Sequence, residues 1–188
     1  MLVPEQNHDR EGVATNYLIT WVCYGAWLPG QCGAVPRTRN RFGARLPESD
    51  ARKEGQSKNR MTQGRYLLNS VRRQVVLKSL QEVCACRGWK PLAAHVRTNH
   101  VHVVVVAKCK PDLVLNTLKS YSSRGLNEAA LDSPDRRRWA RHGSTRYLWT
   151  RDAVQAAIQY VVVEQGESMA VYESSVHTET APRSRSGF

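Results

Sequence analysis

Apolar residues recur at helical spacing through Leu67, Leu68, Val71, Val75, Leu80, Val83 and Cys84, which predicts an amphipathic helix over 66–87 stopped near Gly88. Ahead of it, Asn16–Tyr24 is rich in Tyr, Ile, Thr, Trp and Val and predicts a strand, ended by a glycine- and proline-containing turn or loop over 25–33. After it come two further strands, Trp89–Val96 and His100–Ala107, joined by Arg97-Thr98-Asn99 as an antiparallel hairpin. Pro111 opens a second helix through Leu113, Leu115, Leu118 and Tyr121, ending near Gly125 or within 127–130. Thr145–Trp149 is a short edge strand, and a third helix is expected over 152–165 with Gly166 as its C-cap. Strands flanking helices around a central hairpin point to an antiparallel α+β sandwich.

The remaining segments lack periodicity. Residues 37–65 are rich in Arg and Lys and read as an exposed basic loop insertion, and 133–144 is a second basic loop holding Arg136, Arg137, Arg138 and Arg141. The organisation expected is an N-terminal extension over 1–15, one domain over 16–173 and a polar, disordered tail over 174–188.

Charge narrows the partner class. Lys and Arg number 28 against 16 Asp and Glu, a net charge of +12, and mean hydropathy is -0.52. Such a surface attracts polyanions and releases their counterions, so nucleic acid is the leading partner. No apolar run approaches the roughly 20 residues a bilayer requires. The opening segment carries Glu5, Asp9 and Glu11 without an apolar stretch, so a cytoplasmic location is expected. Five cysteines without paired spacing argue against a disulfide framework or a zinc ribbon.

Strand alternation aims His100 and His102 to one side, with Val104 and Val106. Two imidazoles suit a divalent ion but need a third ligand and open positions for substrate. In the last helix Val154, Ala157, Ile158 and Val161 form the apolar stripe, and at ~100° per residue Tyr160 lies at its edge. Glu164 follows one turn later on nearly the same face as Tyr160, whereas Gln165 falls near the middle of the stripe. Glu164 is therefore the first choice for third ligand and Gln165 the second.

From 16 to 173 the chain resembles the single-tyrosine HUH transposases, the insertion-sequence-200-like group that includes the REP-associated tyrosine transposases. The resemblance is carried, in order, by TWVCYGAWLPG over Thr20–Gly30, NHVHVVV over Asn99–Val105, LKSYSSRGL over Leu118–Leu126 and HGSTRYLW over His142–Trp149, followed by the Tyr160 helix. It implies a ferredoxin-like antiparallel sheet with the histidines on a central strand and the tyrosine helix laid over them. It also implies transesterification of single-stranded or hairpin DNA, in which Tyr160 keeps the 5′ end as a phosphotyrosine and frees a 3′-OH. A phenol, with its ordinary pKa of about 10, needs activation for this, and Mg²⁺ or Mn²⁺ polarises the phosphate. The covalent link conserves phosphodiester energy, so no nucleotide cofactor is called for.

By the same likeness Lys119 and Arg124 face DNA, and Tyr24 and Trp27 lie where an aromatic can stack on a base. Arg136, Arg137, Arg138 and Arg146 are further phosphate candidates. The family's third metal ligand is commonly Gln or Asn four residues after its tyrosine, and here that position holds Glu164; a carboxylate suits hard cations at least as well as an amide. Two other readings stay open. One is a relative that binds hairpin or single-stranded DNA without cutting it. The other is a hydrolytic metalloenzyme, against which stands Val104 where zinc hydrolases of the HxHxDH kind need Asp. Assembly as a homodimer or as a monomer is equally open.

Overall fold

The computed structural model describes residues 15–32 and 48–175. Nearly all of the expected N-terminal extension, the first part of the basic insertion and nearly all of the expected tail lie outside the described residues. Among the described residues nine elements follow one another: β1 (Thr15–Val22), α1 (Ala51–Asn59), α2 (Ser70–Arg87), β2 (Lys90–Val96), β3 (His100–Ala107), α3 (Pro111–Glu128), β4 (Ser144–Leu148), α4 (Arg151–Val162) and β5 (Ala170–Glu173).

The strands form one antiparallel sheet in the order β4-β1-β3-β2-β5. Two interleaved strand-helix-strand units, β1-α2-β2 and β3-α3-β4, give the ferredoxin-like core of this α+β fold, and β5 extends it beyond β2. Strand alternation divides the sheet's side chains between two layers. Tyr17, Ile19, Trp21, Ala94, Val96, Val101, Val103 and Val105 join the core shared with α2 and α3. Leu92, Ala93, Val104 and Leu148 face α4 and its Val154, Ala157, Ile158 and Val161. The pairing of β2 with β3 skips from Pro91 to Ala93, and this bulge sends adjacent Leu92 and Ala93 to the same side.

Local chemistry explains the helix limits. Asn69 accepts from the Arg72 N–H to cap α2, and Gly88, at φ 65°, ends it with its own N–H on the Ala85 and Cys84 carbonyls. Helix α2 thus starts at Ser70, four residues later than expected, because Tyr66 and Leu68 pack into the core ahead of the cap. Gly125 lets α3 approach α2, since a Cβ there would collide with the Ser79 hydroxyl.

Three elements differ from expectation. Helix α1 occupies part of the insertion read as loop; it buries no residue, so no apolar repeat betrays it, and the Asp50 cap on Lys53 N–H marks its start. Helix α4 ends at Val162 rather than 165, within the run of three valines over 161–163 and before Gly166 at φ 77°. Strand β5, four residues long, was not anticipated. No helix among the described residues is long and apolar enough to cross a membrane.

Candidate functional site

The hairpin register brings the site together. His102 on β3 lies opposite Thr20 of β1 and His95 of β2, while His100 lies opposite Val22. With Val104, the two β3 histidines share the sheet face covered by α4. Their rings meet edge to face at 4.7 Å, and the Tyr160 ring stands 5.4 Å from that of His102. On the other side the Trp27 ring lies 5.2 Å from His100. A line of four rings therefore runs Trp27, His100, His102, Tyr160, and both ends reach solvent, Trp27 at 45% and Tyr160 at 39% exposure. Trp27 is held at φ 47°, a left-handed backbone that a bulky side chain seldom adopts.

Both imidazoles are oriented through Nδ1. His100 Nδ1 lies 2.7 Å from Asn99 Oδ1, an atom that can only accept, so Nδ1 carries the proton and Nε2 holds a lone pair. His102 Nδ1 lies 2.7 Å from Thr20 Oγ1, which can accept in the same way. Burial pushes His100 down to about 4, assisted by the Arg97 charge and His95 and opposed by a hydrogen bond with Gln165. Burial pushes His102 down to about 3, assisted first by His100 and then by His95, again opposed by Gln165. Neutral imidazoles held through Nδ1 are the form in which histidine ligates metals.

Gln165 completes the cluster. Its Nε2 donates to the Tyr160 carbonyl at 3.0 Å, which leaves Oε1 as the atom for both histidines. The two imidazoles and the Gln165 amide are thus grouped on one side of the sheet, close enough to interact. A divalent cation fits such a set, because imidazole nitrogen and amide oxygen are both ordinary ligands of divalent ions. Among the described residues no cluster of three or more His, Cys, Asp or Glu is placed to hold a metal. Glu164 is exposed, whereas Gln165 lies near enough to both imidazoles to raise their pKa values. Both lie beyond the end of α4, in a turn where the ~100° spacing that favours Glu164 no longer applies.

A residue not anticipated from the sequence fixes that turn. His95 is fully buried; its Nδ1 donates to the Val161 carbonyl at 2.9 Å and its Nε2 accepts from the Met169 N–H at 3.3 Å. Desolvation lowers its pKa, against the opposing bond to Val161, and the two hydrogen bonds fix one tautomer. Arg97 donates to the Glu167 carbonyl and Thr98 to the Met169 sulfur. The β2 end of the hairpin thereby holds both ends of the turn carrying Gln165. The turn is two residues, Thr98-Asn99, with the Arg97 N–H on the His100 carbonyl, and this sets His95 opposite His102; the expected three-residue connection would have set it opposite Val101.

The basic and aromatic candidates separate by what they touch. Lys119 donates to the Ala140 carbonyl at 2.7 Å and to the His142 carbonyl at 3.4 Å, and burial lowers its pKa. Arg138 is 4% exposed and bonds Asp132 and Asn127. Arg136 donates to Gln63 Oε1 and the Gly64 and Arg65 carbonyls and lies over the Tyr66 ring. These three hold the loop between α3 and β4 in place. The Tyr24 hydroxyl accepts from the Thr62 N–H, a bond that lowers its pKa. Arg124 lies over Tyr121 on α3, across the sheet from the histidines, and the exposed Arg137 anchors by its backbone N–H to Gln63. Exposed Arg146 pairs with Leu18 and so shares the histidine face at the β4 edge.

Comparison with known proteins bears on these residues. No curated protein sequence is matched. A solved structure of a REP-associated tyrosine transposase bound to a REP hairpin aligns with 87% of this chain and 72% of that one, at 10% identity and a TM-score of 0.48. The model of the family described as IS200-like transposase matches residues 59–161, a span that takes in His95, His100, His102 and Tyr160 and stops short of Gln165. That span is more than half of the sequence, and the chain belongs to the IS200-like transposase family.

Proposed function

We propose that the protein cleaves and rejoins single-stranded DNA by transesterification at Tyr160, with a divalent ion held by His100, His102 and Gln165. The observation that carries the reading is the grouping of His100 and His102 with the Tyr160 ring on one sheet face, with Gln165 in interaction range. Mg²⁺ or Mn²⁺ bound there would polarise a non-bridging phosphate oxygen and offset charge in the transition state. Glu164, one residue away, is the second candidate ligand.

The chain's own groups then do the following. Tyr160 presents its phenolic oxygen to the scissile phosphorus; a new P–O bond to the phenol forms as the bond to the 3′ oxygen of the preceding nucleotide breaks. The phenol loses a proton and the departing 3′ oxygen gains one, so the products are a 5′-phosphotyrosine and a free 3′-OH. Attack by a 3′-OH reverses the step and needs no nucleotide cofactor. Asn99 and Thr20 hold the imidazole rings. Trp27 offers a stacking surface for a base next to the scissile phosphate. Arg146, Arg137 and Arg124 are the exposed phosphate contacts of this reading, with Tyr24 at the margin of the loop. Lys119, Arg136 and Arg138 serve by shaping the loop rather than by touching DNA.

Covalent capture tests the proposal. A 5′- or 3′-labelled hairpin oligonucleotide with single-stranded flanks, incubated with Mn²⁺, is expected to give a denaturation-resistant adduct with one product half only. Tyr160→Phe should bind the oligonucleotide as the parent does and give none. A parent that binds DNA yet never forms the adduct is a binding protein, and the catalytic proposal then fails.

A further inference from the structure

At the opposite end of α4 from Tyr160, a cleft of about 310 Å³ opens between the first turns of the helix and the sheet. Leu92 and Val106 form its floor, and Lys90, Trp149, Arg151 and Gln155 stand around it. We propose that this cleft is a second nucleotide subsite, in which Trp149 stacks on one base of a single DNA strand and Lys90 and Arg151 hold the adjoining phosphates. The subsite rests on the proposed function only for the identity of the strand.

Trp149 is 68% exposed, which for so large an apolar side chain marks a contact surface when the ring is also held rigid. It is held. Its ring stacks on Tyr147 at 4.8 Å with the planes 6° apart, and Tyr147 meets Tyr17 edge to face at 5.1 Å. Tyr17 in turn donates to the Cys109 carbonyl. Tyr147 and Tyr17 belong to the α2/α3 side of the sheet, so the indole stands at the β4 edge where it borders the cleft, one face on the stack and the exposed surface on the other. A flat, preorganised aromatic accepts any base, because every base has a π face.

Charge selects a polyanion. Both Lys90 and Arg151 are exposed, neither has an ion-pair partner among the described residues, and no carboxylate lines the cleft. Position makes it part of one track with the Tyr160 site. Val106 lies on the same β3 face as His102, four residues away, roughly 13 Å at strand rise. Gln155 lies five residues before Tyr160, about 7.5 Å along the helix. A strand whose scissile phosphate sits at Tyr160 therefore reaches Trp149 within a few nucleotides along the flank of α4.

The test is fluorescence anisotropy on the full chain carrying Tyr160→Phe, with labelled hairpin oligonucleotides whose single-stranded flanks bear an abasic site at each position in turn. One abasic position, set back from the scissile phosphate, is expected to weaken binding on the order of tenfold. In Trp149→Ala that position should no longer matter, while overall affinity falls by the same factor; Trp149→Phe should recover most of it. Lys90→Glu with Arg151→Glu should weaken binding at every flank sequence and flatten its salt dependence. Unchanged melting temperatures establish that the fold is intact. If Trp149→Ala binds every flank as the parent does, the subsite is overturned. If the charge variants alone weaken binding, the cleft is a phosphate contact and the stacking claim is overturned. An abasic pattern without any Tyr160 adduct in the parent leaves the subsite standing and removes the cleavage proposal; an adduct without the pattern does the reverse.

Discussion

The two faces of the sheet differ in how completely they are closed. The face under α2 and α3 is an apolar layer in which Ile19, Trp21, Val96, Val101 and Val103 are shut off from solvent and Leu118 and Leu126 fill in from above. The face under α4 has one twelve-residue helix over it. Its apolar patch of Leu92, Val104, Leu148, Ile158 and Val161 occupies the middle, with the histidines at one end and the Trp149 cleft at the other. Two helices against one is the difference: the first face holds the fold together, and the second leaves sheet positions near solvent where chemistry is possible.

The largest effect expected from breaking this contrast is on the closed face. Trp21→Ala should cost about 3–5 kcal/mol by the lost burial and the void it leaves, read as a fall in the denaturant midpoint. The Trp21 N–H has no hydrogen-bond acceptor, so no polar partner is stranded by its removal. Next comes the polar anchor of the α3–β4 loop. Asp132 accepts from Arg72 at 2.7 Å and from Arg138 at 3.4 Å, with the Tyr66 hydroxyl as a third donor. Asp132→Ala strands the 3% exposed Arg138 side chain and should cost about 3 kcal/mol. Burial alone would raise the Asp132 pKa, but the bonds from Arg72 and Tyr66 outweigh it and lower it below the ordinary 3.8. The stabilisation is therefore complete above that pH and fades as pH falls further. Acid unfolding of Asp132→Ala should lack this component, which a pH series of melts reads directly.

On the α4 face smaller stability effects should accompany larger functional ones. His95→Ala leaves the Val161 carbonyl and the Met169 N–H without their partner, at a cost of about 1–3 kcal/mol. Because the freed turn carries Gln165, Mn²⁺ affinity should fall with it. Smallest in stability is Gln165→Ala, within about 0.5 kcal/mol, and it should weaken Mn²⁺ binding on the order of tenfold or more. Glu164→Ala should leave that affinity near the parent value in a calorimetric titration. If the two variants trade places, Glu164 is the ligand and the reading of the turn is wrong.

How much of this could be read beforehand depended on periodicity. The hairpin 90–107 and helices α2 and α3 announce themselves because burial imposes a repeat on their residues. The pairing of His100 with His102 follows from the same rule. Helix α1 buries nothing and so leaves no repeat, and β5 is four residues whose strand character comes from pairing with β2. The end of α4 lies in a run of valines that pattern alone does not stop, and the angular argument for Glu164 needs a helix that continues past it. Charge was legible but not its use: an arginine such as Arg138 looks like any other until Asp132 and Asn127 are seen beside it.

The central claim is a covalent bond from DNA to Tyr160. Mass spectrometry of the protein after reaction with a hairpin oligonucleotide and Mn²⁺, followed by proteolysis and nuclease trimming, measures it most directly. The account predicts a 5′-phosphoryl nucleotide on the peptide that contains Tyr160, absent without the metal. A phosphoryl group on any other residue, or cleaved DNA with free 5′ ends and an unmodified peptide, contradicts it.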